Sequence, residues 1–356
     1  MNIWTRLVIL GALIATNLAM PGLADDSTLP FTISVLPDEL KDVPNYMGRN
    51  PPIDMDFPPC PIAIDGEYWI IFRNRTDPRV FRYKGTNIED AKRQPDGDAA
   101  QPAMNGAYIL GGMWYDETGK KLYAPLHHEN LRLWKQVALA TSTDKGLTWK
   151  HEGLIVATYD PKDASSKPGD YEGDFYLHVD KPHGYFYLYC LHYDPPRMRH
   201  CVARCAITDR MAPGKWTKFY NGGWTEPALG GKSSHVNAYY VMYNTFLKKY
   251  ISFNLGGSLS YCSDLEKQDW SPSFKIGDAW CPRRELFGYH VTDETKKDIH
   301  TGGRTLFAWS FYQGNWGGRS RIEFGEGQTP NTKGYHPYGG DLGNCYGVSM
   351  SKPGNP

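Results

Sequence analysis

Apolar and polar positions alternate in short runs along the chain, which predicts β-strands rather than helices. In the stretch GDFYLHVDKPHGYFYLY, residues 173–189, two aromatic-rich runs flank a polar turn. Similar pairs of runs are PIAIDGEYWIIF (61–72), MWYDETGKKLYAPL (113–126), YVMYNTFLKKYISF (240–253) and VTDETKKDIHTGGRTLFAW (291–309). Each of these five segments predicts a β-hairpin, because a turn-forming group separates two strand-like runs.

The hairpins recur at a regular spacing. Their second strands are predicted to begin near Tyr68, Leu122, Tyr185, Tyr250 and Leu306. This spacing of roughly 55 to 65 residues is a little above the period of the commoner propeller repeats. Three units continue with a strand that ends in Ser or Thr and Asp, followed by a short turn and a Trp: VALATSTDKGLTW, VARCAITDRMAPGKW and LSYCSDLEKQDW. The first and last units carry weaker copies, VFRYKG and RIEFGEG.

This repeat predicts an all-β fold, a five-bladed β-propeller with four-stranded antiparallel blades. Weak copies at the two ends are typical of a ring that is closed by joining the ends of the chain. The alternative is a β-sandwich with chance spacing. The turn STDKGLTW, residues 142–149, resembles the Asp box of sialidases, in which Asp and Ser satisfy backbone groups. It favours a propeller more strongly than it favours sialidase activity.

The first 24 residues are predicted to be a secretory signal peptide. Arg6 supplies a positive charge, an apolar run follows from Leu7, and small residues at Gly22 and Ala24 fit a cleavage site. A membrane anchor is the less favoured alternative, because the apolar run is too short to span a bilayer. Residues 25–356 are then expected to form one propeller domain, secreted or periplasmic.

The composition limits which binding partners and which disulfides are expected. The formal net charge is zero, so neither a nucleic acid nor an anionic membrane is expected as a partner. Aromatic residues make up 14% of the chain, which suits packing between sheets and also stacking on sugars. The seven cysteines are odd in number and irregularly spaced. Cys190 and Cys201 are the best candidates for a disulfide. No metal-binding spacing is present, and the oligomeric state is left open.

The predicted topology indicates where a site would form. In each blade the innermost strand starts at one mouth of the ring and the second strand returns to it. Side chains at these two positions should converge from all blades. The topology makes the carboxylates Asp56, Asp174 and Glu226 candidates for this mouth, and the family resemblance described next implies that they are catalytic. The candidates for substrate binding are Arg73, His128, Glu129, His192, Trp224, His235 and His290.

Three segments carry a resemblance to a known family. DFPPCPIAIDGEYWIIF from Asp56 onward, GDFYLHVDKPHGYFYLY and YCSDLEKQDW resemble motifs of five-bladed glycoside hydrolases of the family 43 type. The resemblance implies that Asp56 is the general base, that Asp174 tunes the acid and orients the sugar, and that the mechanism inverts. The family's acid is a Glu shortly before the fourth hairpin. Glu226 stands earlier than that, so His235 and Glu129 remain alternative acids.

The sequence therefore favours a secreted glycoside hydrolase that cleaves a polysaccharide or oligosaccharide. Three alternatives stay open: a sialidase-like hydrolase, a polysaccharide lyase using His and Tyr, and a propeller that binds glycans without cleaving them. A carbohydrate is the expected partner. No cofactor is expected, although the family resemblance allows a Ca²⁺ ion on the propeller axis.

Overall fold

The structure is a computed structural model that describes residues 28–38, 60–73, 78–99, 106–130, 134–162, 172–194, 197–254, 258–276, 288–312 and 315–330. The predicted signal peptide and Asp56 lie outside these ranges. Among the described residues, no helix is long and apolar enough to cross a membrane.

Five antiparallel sheets form the blades of a five-bladed β-propeller, as the repeat predicts. The first two strands are β1 Thr28–Leu29 and β2 Thr32–Asp38. Blade 1 contains β3 Cys60–Ile64, β4 Glu67–Phe72, β5 Arg79–Gly85, β6 Lys92–Arg93 and β7 Gly97–Asp98. Blade 2 contains β8 Ala107–Ile109, β9 Trp114–Asp116, β10 Lys121–Asn130, β11 Trp134–Ser142 and β12 Lys150–Val156. Blade 3 contains β13 Glu172–Asp180, β14 Tyr185–Asp194, β15 Arg197–Ala206, β16 Thr217–Tyr220 and β17 Gly223–Pro227. Blade 4 contains β18 Tyr240–Asn244, β19 Lys249–Asn254, β20 Ser258–Cys262 and β21 Phe274–Lys275. Blade 5 contains β22 Gly288–Thr292, β24 Thr305–Tyr312 and β25 Asn315–Gly325, while β23 Thr301–Gly302, between β22 and β24 in the chain, belongs to blade 4. The last strand is β26 Thr329–Pro330.

The predicted hairpins are present in all five blades. The second strands β4, β10, β14, β19 and β24 each begin at the predicted residue or one residue before it. Blade 3 runs outward in the order β13, β14, β15, β16 and β17. Its fifth strand, β17, is an addition to the predicted four. In blade 4, the short strand β23 pairs in parallel with the inner strand β18.

The two ends of the described chain close the ring. Strand β2 is the outermost strand of blade 5 and pairs with β25, from Thr32 opposite Gly325 to Asp38 opposite Arg319. The short strand β1 pairs with β26. Ring closure through both ends, as expected from the weak first and last repeats, is therefore confirmed.

Apolar side chains between neighbouring blades form the core. Between blades 2 and 3, Val137 and Ile155 pack with Phe175, Leu188 and other buried residues. The inner strand of blade 2 is broken into β8 and β9 at Gly111, whose φ is 74°. A Cβ there would lie 2.3 Å from the carbonyl oxygen of Phe175. Glycine therefore lets β13 approach blade 2 at the hub.

Cys190 and Cys201 lie opposite each other on β14 and β15. Both are buried and free, so the disulfide considered from the sequence is not formed in this structure.

Candidate active site

Asp174 has an unusual backbone conformation near the start of β13, the innermost strand of blade 3. Its φ of 45° is left-handed, a region that non-glycine residues enter at an energetic cost. The pairing of β13 with β14 is interrupted at the same point, between Gly173 and Tyr176. Such a bulge redirects a side chain, and here the Asp174 carboxylate faces residues of blade 2.

Neighbouring residues fix the Asp174 backbone on both sides. Its N–H donates to Nδ1 of His127 at 2.9 Å. Its carbonyl oxygen accepts a hydrogen bond from the Tyr239 hydroxyl at 2.7 Å. Gly173 permits this approach, because a Cβ at residue 173 would lie 2.8 Å from the imidazole of His127. The position of Asp174 is thus set by residues from blade 2 and from the segment entering blade 4.

Two carboxylates and a lysine meet at this position. Nζ of Lys135 lies 3.0 Å from a carboxylate oxygen of Asp174 and 3.4 Å from one of Glu129. Nε2 of His127 lies 3.5 Å and 3.4 Å from carboxylate oxygens of the same two residues. We call His127, Glu129, Lys135 and Asp174 the mouth cluster, because all four lie at the same mouth of the ring. Asp174 is near the start of the inner strand β13, His127 and Glu129 are near the end of the second strand β10, and Lys135 is at the start of the adjoining strand β11.

The mouth cluster is partly buried, which strengthens its electrostatic interactions. The side chains of Asp174 and Glu129 are 9% and 12% exposed, and that of Lys135 is 24% exposed. The positive charge of Lys135 offsets the repulsion between the two carboxylates. Because Nδ1 of His127 accepts the Asp174 N–H, the ring proton belongs on Nε2. That N–H lies 3.4 Å from a carboxylate oxygen of Glu129 and 3.5 Å from one of Asp174, so the neutral imidazole helps to hold the two carboxylates together.

A second charged group begins two residues before Asp174. The fully buried Glu172 carboxylate lies 2.6 Å from Nζ of Lys218 and 3.2 Å from Nδ1 of His192. It also accepts a hydrogen bond from the Ser233 hydroxyl at 2.9 Å. Burial by itself would raise the pKa of Glu172, but Lys218 and His192 outweigh it and lower the pKa overall. Likewise, burial opposes protonation of His192, but its hydrogen bond with Glu172 prevails and raises the pKa of His192.

Three other expected site residues make contacts within the protein. Arg73 is 2% exposed, and its guanidinium donates to the carbonyl oxygen of Ala107. His128 is half-buried, and its Nδ1 lies 3.5 Å from the side-chain amide of Gln136. Nδ1 of His235 faces the carbonyl oxygen of His200 at 3.2 Å, and burial lowers the pKa of His235.

Glu226 and Trp224 lie away from the hub, which corrects their expected place at the mouth. Both belong to β17, the outermost strand of blade 3, and not to the start of blade 4. Asn221 and Gly222 have left-handed φ values of 49° and 83°. They form the tight turn that folds β17 back onto β16.

Contacts on this outer strand satisfy both side chains. The Glu226 carboxylate accepts the N–H of Lys232 at 3.0 Å. The indole N–H of Trp224 donates to the carbonyl oxygen of Glu266 at 2.8 Å, and the guanidinium of Arg204 lies 4.4 Å from the Trp224 ring centroid. These contacts at the rim of the blade explain the position of Trp224, and no role in sugar binding is needed to explain it.

The remaining two expected residues are described in part or not at all. Asp56 lies outside the described residues. His290 is in β22, the innermost strand of blade 5, opposite Trp309. Its side chain is outside the described part of the structure.

Sequence reasoning missed the two lysines that pair with the acidic residues. Lys135 lies opposite Glu129 across the β10–β11 hairpin, and an opposite-charge pair flanking a predicted loop is a signal that could have found it. Lys218 lies within TKFY of β16. No local pattern distinguishes it from a solvent-exposed lysine, although it is 1% exposed.

A pocket of about 220 Å³ lies at the opposite end of the inner strands from the mouth cluster. Its lining includes Ile62 of β3 together with Val179 and Lys181, where β13 ends. This pocket is separate from Asp174, because Asp174 lies near the start of the same strand.

No protein-family model matches the chain, and no curated protein matches its sequence. Solved structures similar in fold include a family 117 glycoside hydrolase from the marine bacterium Zobellia galactanivorans. That match has 14% identity and a TM-score of 0.48, and it covers 83% of this chain and 91% of the other.

Two further similar structures are an exo-β-1,3-galactanase and a β-1,3-galactosidase. The exo-β-1,3-galactanase of Phanerochaete chrysosporium has 10% identity and a TM-score of 0.46 over 75% of this chain, which spans 59% of that enzyme. A family 43 β-1,3-galactosidase has 12% identity and a TM-score of 0.47 over 75% of this chain and 88% of the other. Because the identities and TM-scores are low, these matches do not establish an activity, which has to be inferred from the side chains of the site.

Proposed function

We propose that this protein is a glycoside hydrolase that cleaves glycosidic bonds in a polysaccharide or oligosaccharide. The observation that carries this proposal is the mouth cluster. It brings Asp174 of blade 3 and Glu129 of blade 2 to the same imidazole nitrogen and the same ammonium group. Glycosidic cleavage by this class requires neighbouring carboxyl groups with different tasks, and the mouth cluster supplies two of them.

In this proposal Glu129 takes the role of proton donor to the leaving oxygen. Glu226 lies on the outermost strand of blade 3. Glu129, the alternative acid that lies at the mouth, therefore takes this role in its place. Asp174 neighbours Glu129 and orients the sugar. The residue that activates water is Asp56, assigned from its sequence motif alone.

The two basic residues of the mouth cluster support this division of roles. Lys135 contacts both carboxylates, and its charge keeps them together despite their repulsion. Nε2–H of His127 points at both and, as a neutral hydrogen-bond donor, helps to hold them in position. The proposed reaction is inverting, since a separate base must activate water from the other side of the sugar. The predicted signal peptide would place this reaction outside the cytoplasm.

The test compares the wild type with two amide variants on a panel of polysaccharides and aryl glycosides. Asp174→Asn keeps the size of the side chain and removes its charge. We expect kcat/KM to fall by about 100-fold or more, because misplacing a sugar or a catalytic group by about 1 Å costs a rate factor of this order. The matched control is Glu226→Gln, which makes the same chemical change on the outermost strand and should retain wild-type activity. Circular dichroism should show that both variants are folded.

Other outcomes would select another function. Equal loss of activity in Glu226→Gln and Asp174→Asn would contradict the placement of the site at the mouth cluster. Tight binding of a glycan by the wild type without turnover would favour a binding module. An unsaturated product that absorbs in the ultraviolet would identify a polysaccharide lyase.

A further inference from the structure

One face of blade 3 gathers metal-binding side chains from three adjacent strands. Glu172 of β13 lies opposite His192 of β14. Cys190, two residues earlier on β14, lies opposite Cys201 of β15. Because directly paired residues and residues two apart share a face of a sheet, these four side chains lie on the same face.

Three of these side chains already approach a common point. One ligand atom each from Glu172, His192 and Cys201 lies within 4.8 Å of the others. The closest pair is a carboxylate oxygen of Glu172 and Nδ1 of His192, at 3.2 Å. Glu172 is fully buried and Cys201 is buried, whereas the side chain of His192 is 25% exposed. The site can therefore be reached from solvent past His192.

We propose that Glu172, His192 and Cys201 bind a zinc ion. A thiolate, an imidazole nitrogen and a carboxylate oxygen are the ligand types that zinc takes in proteins. Ligand atoms about 2.0 to 2.3 Å from one ion stand about 3.2 to 3.8 Å apart in a tetrahedron. The Glu172–His192 distance already has this value, and because the Cys201 sulfur lies within 4.8 Å of both, it would have to move by no more than about 1 Å. Three protein ligands leave one position for water or substrate.

Lys218 does not occupy the position of the ion. Its Nζ contacts Oε2 of Glu172 and donates to the carbonyl oxygens of Ala157 and Gly231 at 2.9 Å and 3.0 Å. The ion would use the other oxygen, Oε1, the one nearest His192. The Ser233 hydroxyl also donates to Oε1, and a carboxylate oxygen has a lone pair for each.

Binding a divalent ion changes the net charge of the site by one unit. Without metal, Lys218 neutralises the buried Glu172 carboxylate. With metal, Glu172 and the Cys201 thiolate neutralise the dication, and the Lys218 ammonium leaves one positive charge, which a hydroxide in the open fourth position would offset. A lysine on the distal oxygen of a ligating carboxylate orients that carboxylate toward the metal, as outer-shell partners do.

The proposed ion has a structural consequence at the hub. It would join the start of β13, the end of β14 and the middle of β15. Glu172 precedes Asp174 by two residues, so the ion would also brace the bulge that presents Asp174 to blade 2. Its binding is nevertheless independent of the proposed hydrolase activity, because none of its three ligands belongs to the mouth cluster.

The experiment measures metal binding directly on the full chain. Purified protein is treated with a chelator, reloaded with zinc or with cobalt, and separated from free metal by gel filtration. We expect about one equivalent of zinc per chain by elemental analysis. The cobalt form should show an ultraviolet thiolate-to-cobalt charge-transfer band and visible bands of a tetrahedral site. This measurement uses only the wild-type protein, so its outcome does not depend on whether a variant folds.

Matched cysteine variants identify the ligand. Cys201→Ser should lose the charge-transfer band and at least tenfold in zinc affinity, since losing even a partner of a ligand costs about 10- to 100-fold. Cys205→Ser is the control, because Cys205 is buried on the same strand four residues away and is not among the three ligands. It should keep both the band and the affinity.

Three results would overturn the proposal. The first is no bound metal after reloading. The second is a charge-transfer band that survives in Cys201→Ser. The third is a Cys190–Cys201 disulfide in the purified protein, found by peptide mapping without reductant, because a disulfide sulfur cannot act as a thiolate ligand.

Discussion

At the scale of single residues, the backbone of Asp174 is the clearest departure from what local preference favours. A left-handed conformation costs an L-residue about 1–2 kcal/mol, although Asp tolerates it better than most residues. The conformation persists because His127 binds the N–H of Asp174 and Tyr239 binds its carbonyl oxygen. Strain of this kind tends to persist at functional sites, which agrees with the role proposed for Asp174.

Two substitutions at this residue separate backbone strain from side-chain interactions. Asp174→Ala and Asp174→Gly both remove the contacts with Lys135 and His127, so both should be inactive. Only glycine removes the steric cost of the left-handed conformation. We therefore expect Asp174→Gly to be the more stable of the two by about 1 kcal/mol, measured by chemical denaturation. Equal stability, or a more stable alanine variant, would mean that the residue is not strained.

At the scale of strands and turns, local chemistry explains both a success and an error. The hairpins could be predicted because alternation and turn residues act within about ten residues of one another. The error at Glu226 has the same origin. Asn221-Gly222 is a strong two-residue hairpin signal, and reading it would have assigned the segment with Glu226 to a fifth strand of blade 3.

The turn between β11 and β12 is a structural element that should be independent of activity. Asp144 accepts hydrogen bonds from the N–H of Thr148 at 2.9 Å and its hydroxyl at 2.6 Å. Its carboxylate also accepts from the Ser142 hydroxyl at 2.8 Å. These contacts close the turn before Trp149 enters the core between blades 1 and 2.

Asp144→Ala should lower the free energy of unfolding by about 1–2 kcal/mol, because it removes several hydrogen bonds to a charged group. Activity per folded molecule should stay at the wild-type value. Asp264→Ala is the matched control at the corresponding turn of blade 4, where Asp264 accepts the N–H of Glu266 at 2.8 Å. Its effect on stability should be smaller. A loss of activity in Asp144→Ala without a loss of stability would contradict this assignment.

At the scale of the whole molecule, ring closure ties the ends of the chain to every blade. Strand β2 completes blade 5 although about 280 residues of chain separate it from β25, a contact of the kind that makes folding slow. Each blade also buries apolar side chains against two neighbours. The stability of the mouth cluster therefore depends on closure of the ring, because its members come from different blades.

Buried histidines should make the stability of the whole fold sensitive to acid. Burial lowers the pKa of His178 and of His300 to about 3, from an ordinary value of 6.5. Between these two values the unfolded chain binds protons that the folded protein does not bind. The free energy of unfolding therefore falls as the pH decreases below 6.5, by up to about 3 kcal/mol per pH unit for the two residues together.

Denaturation curves between about pH 7.5 and pH 5 check this expectation. His178→Phe should reduce the slope by about a third, because burial also lowers the pKa of His200 to about 3 and this third group titrates over the same range. Leu147→Ala is the control, because it changes an exposed side chain that does not titrate, and it should leave the slope unchanged. Stability that is constant over this pH range would contradict the prediction.

The sequence by itself determined the strands, the five repeated hairpins and the closed ring. It also determined the position of Asp174 at the start of an inner strand. These features follow from periodicity and turn chemistry, which act between residues close together in the chain. Fold class and the neighbourhood of the site could therefore be predicted without any knowledge of which blade surfaces meet.

Only the tertiary structure decided which charged groups share the site. Lys135 reaches Asp174 because blades 2 and 3 pack closely at Gly173, and Lys218 reaches Glu172 across the face of blade 3. The same packing placed Cys201 beside Glu172 and His192, although no metal-binding spacing links them in the chain. Such encounters depend on the bulge at Asp174, on the added strand β17 and on the packing of whole sheets, and no local pattern specifies any of these.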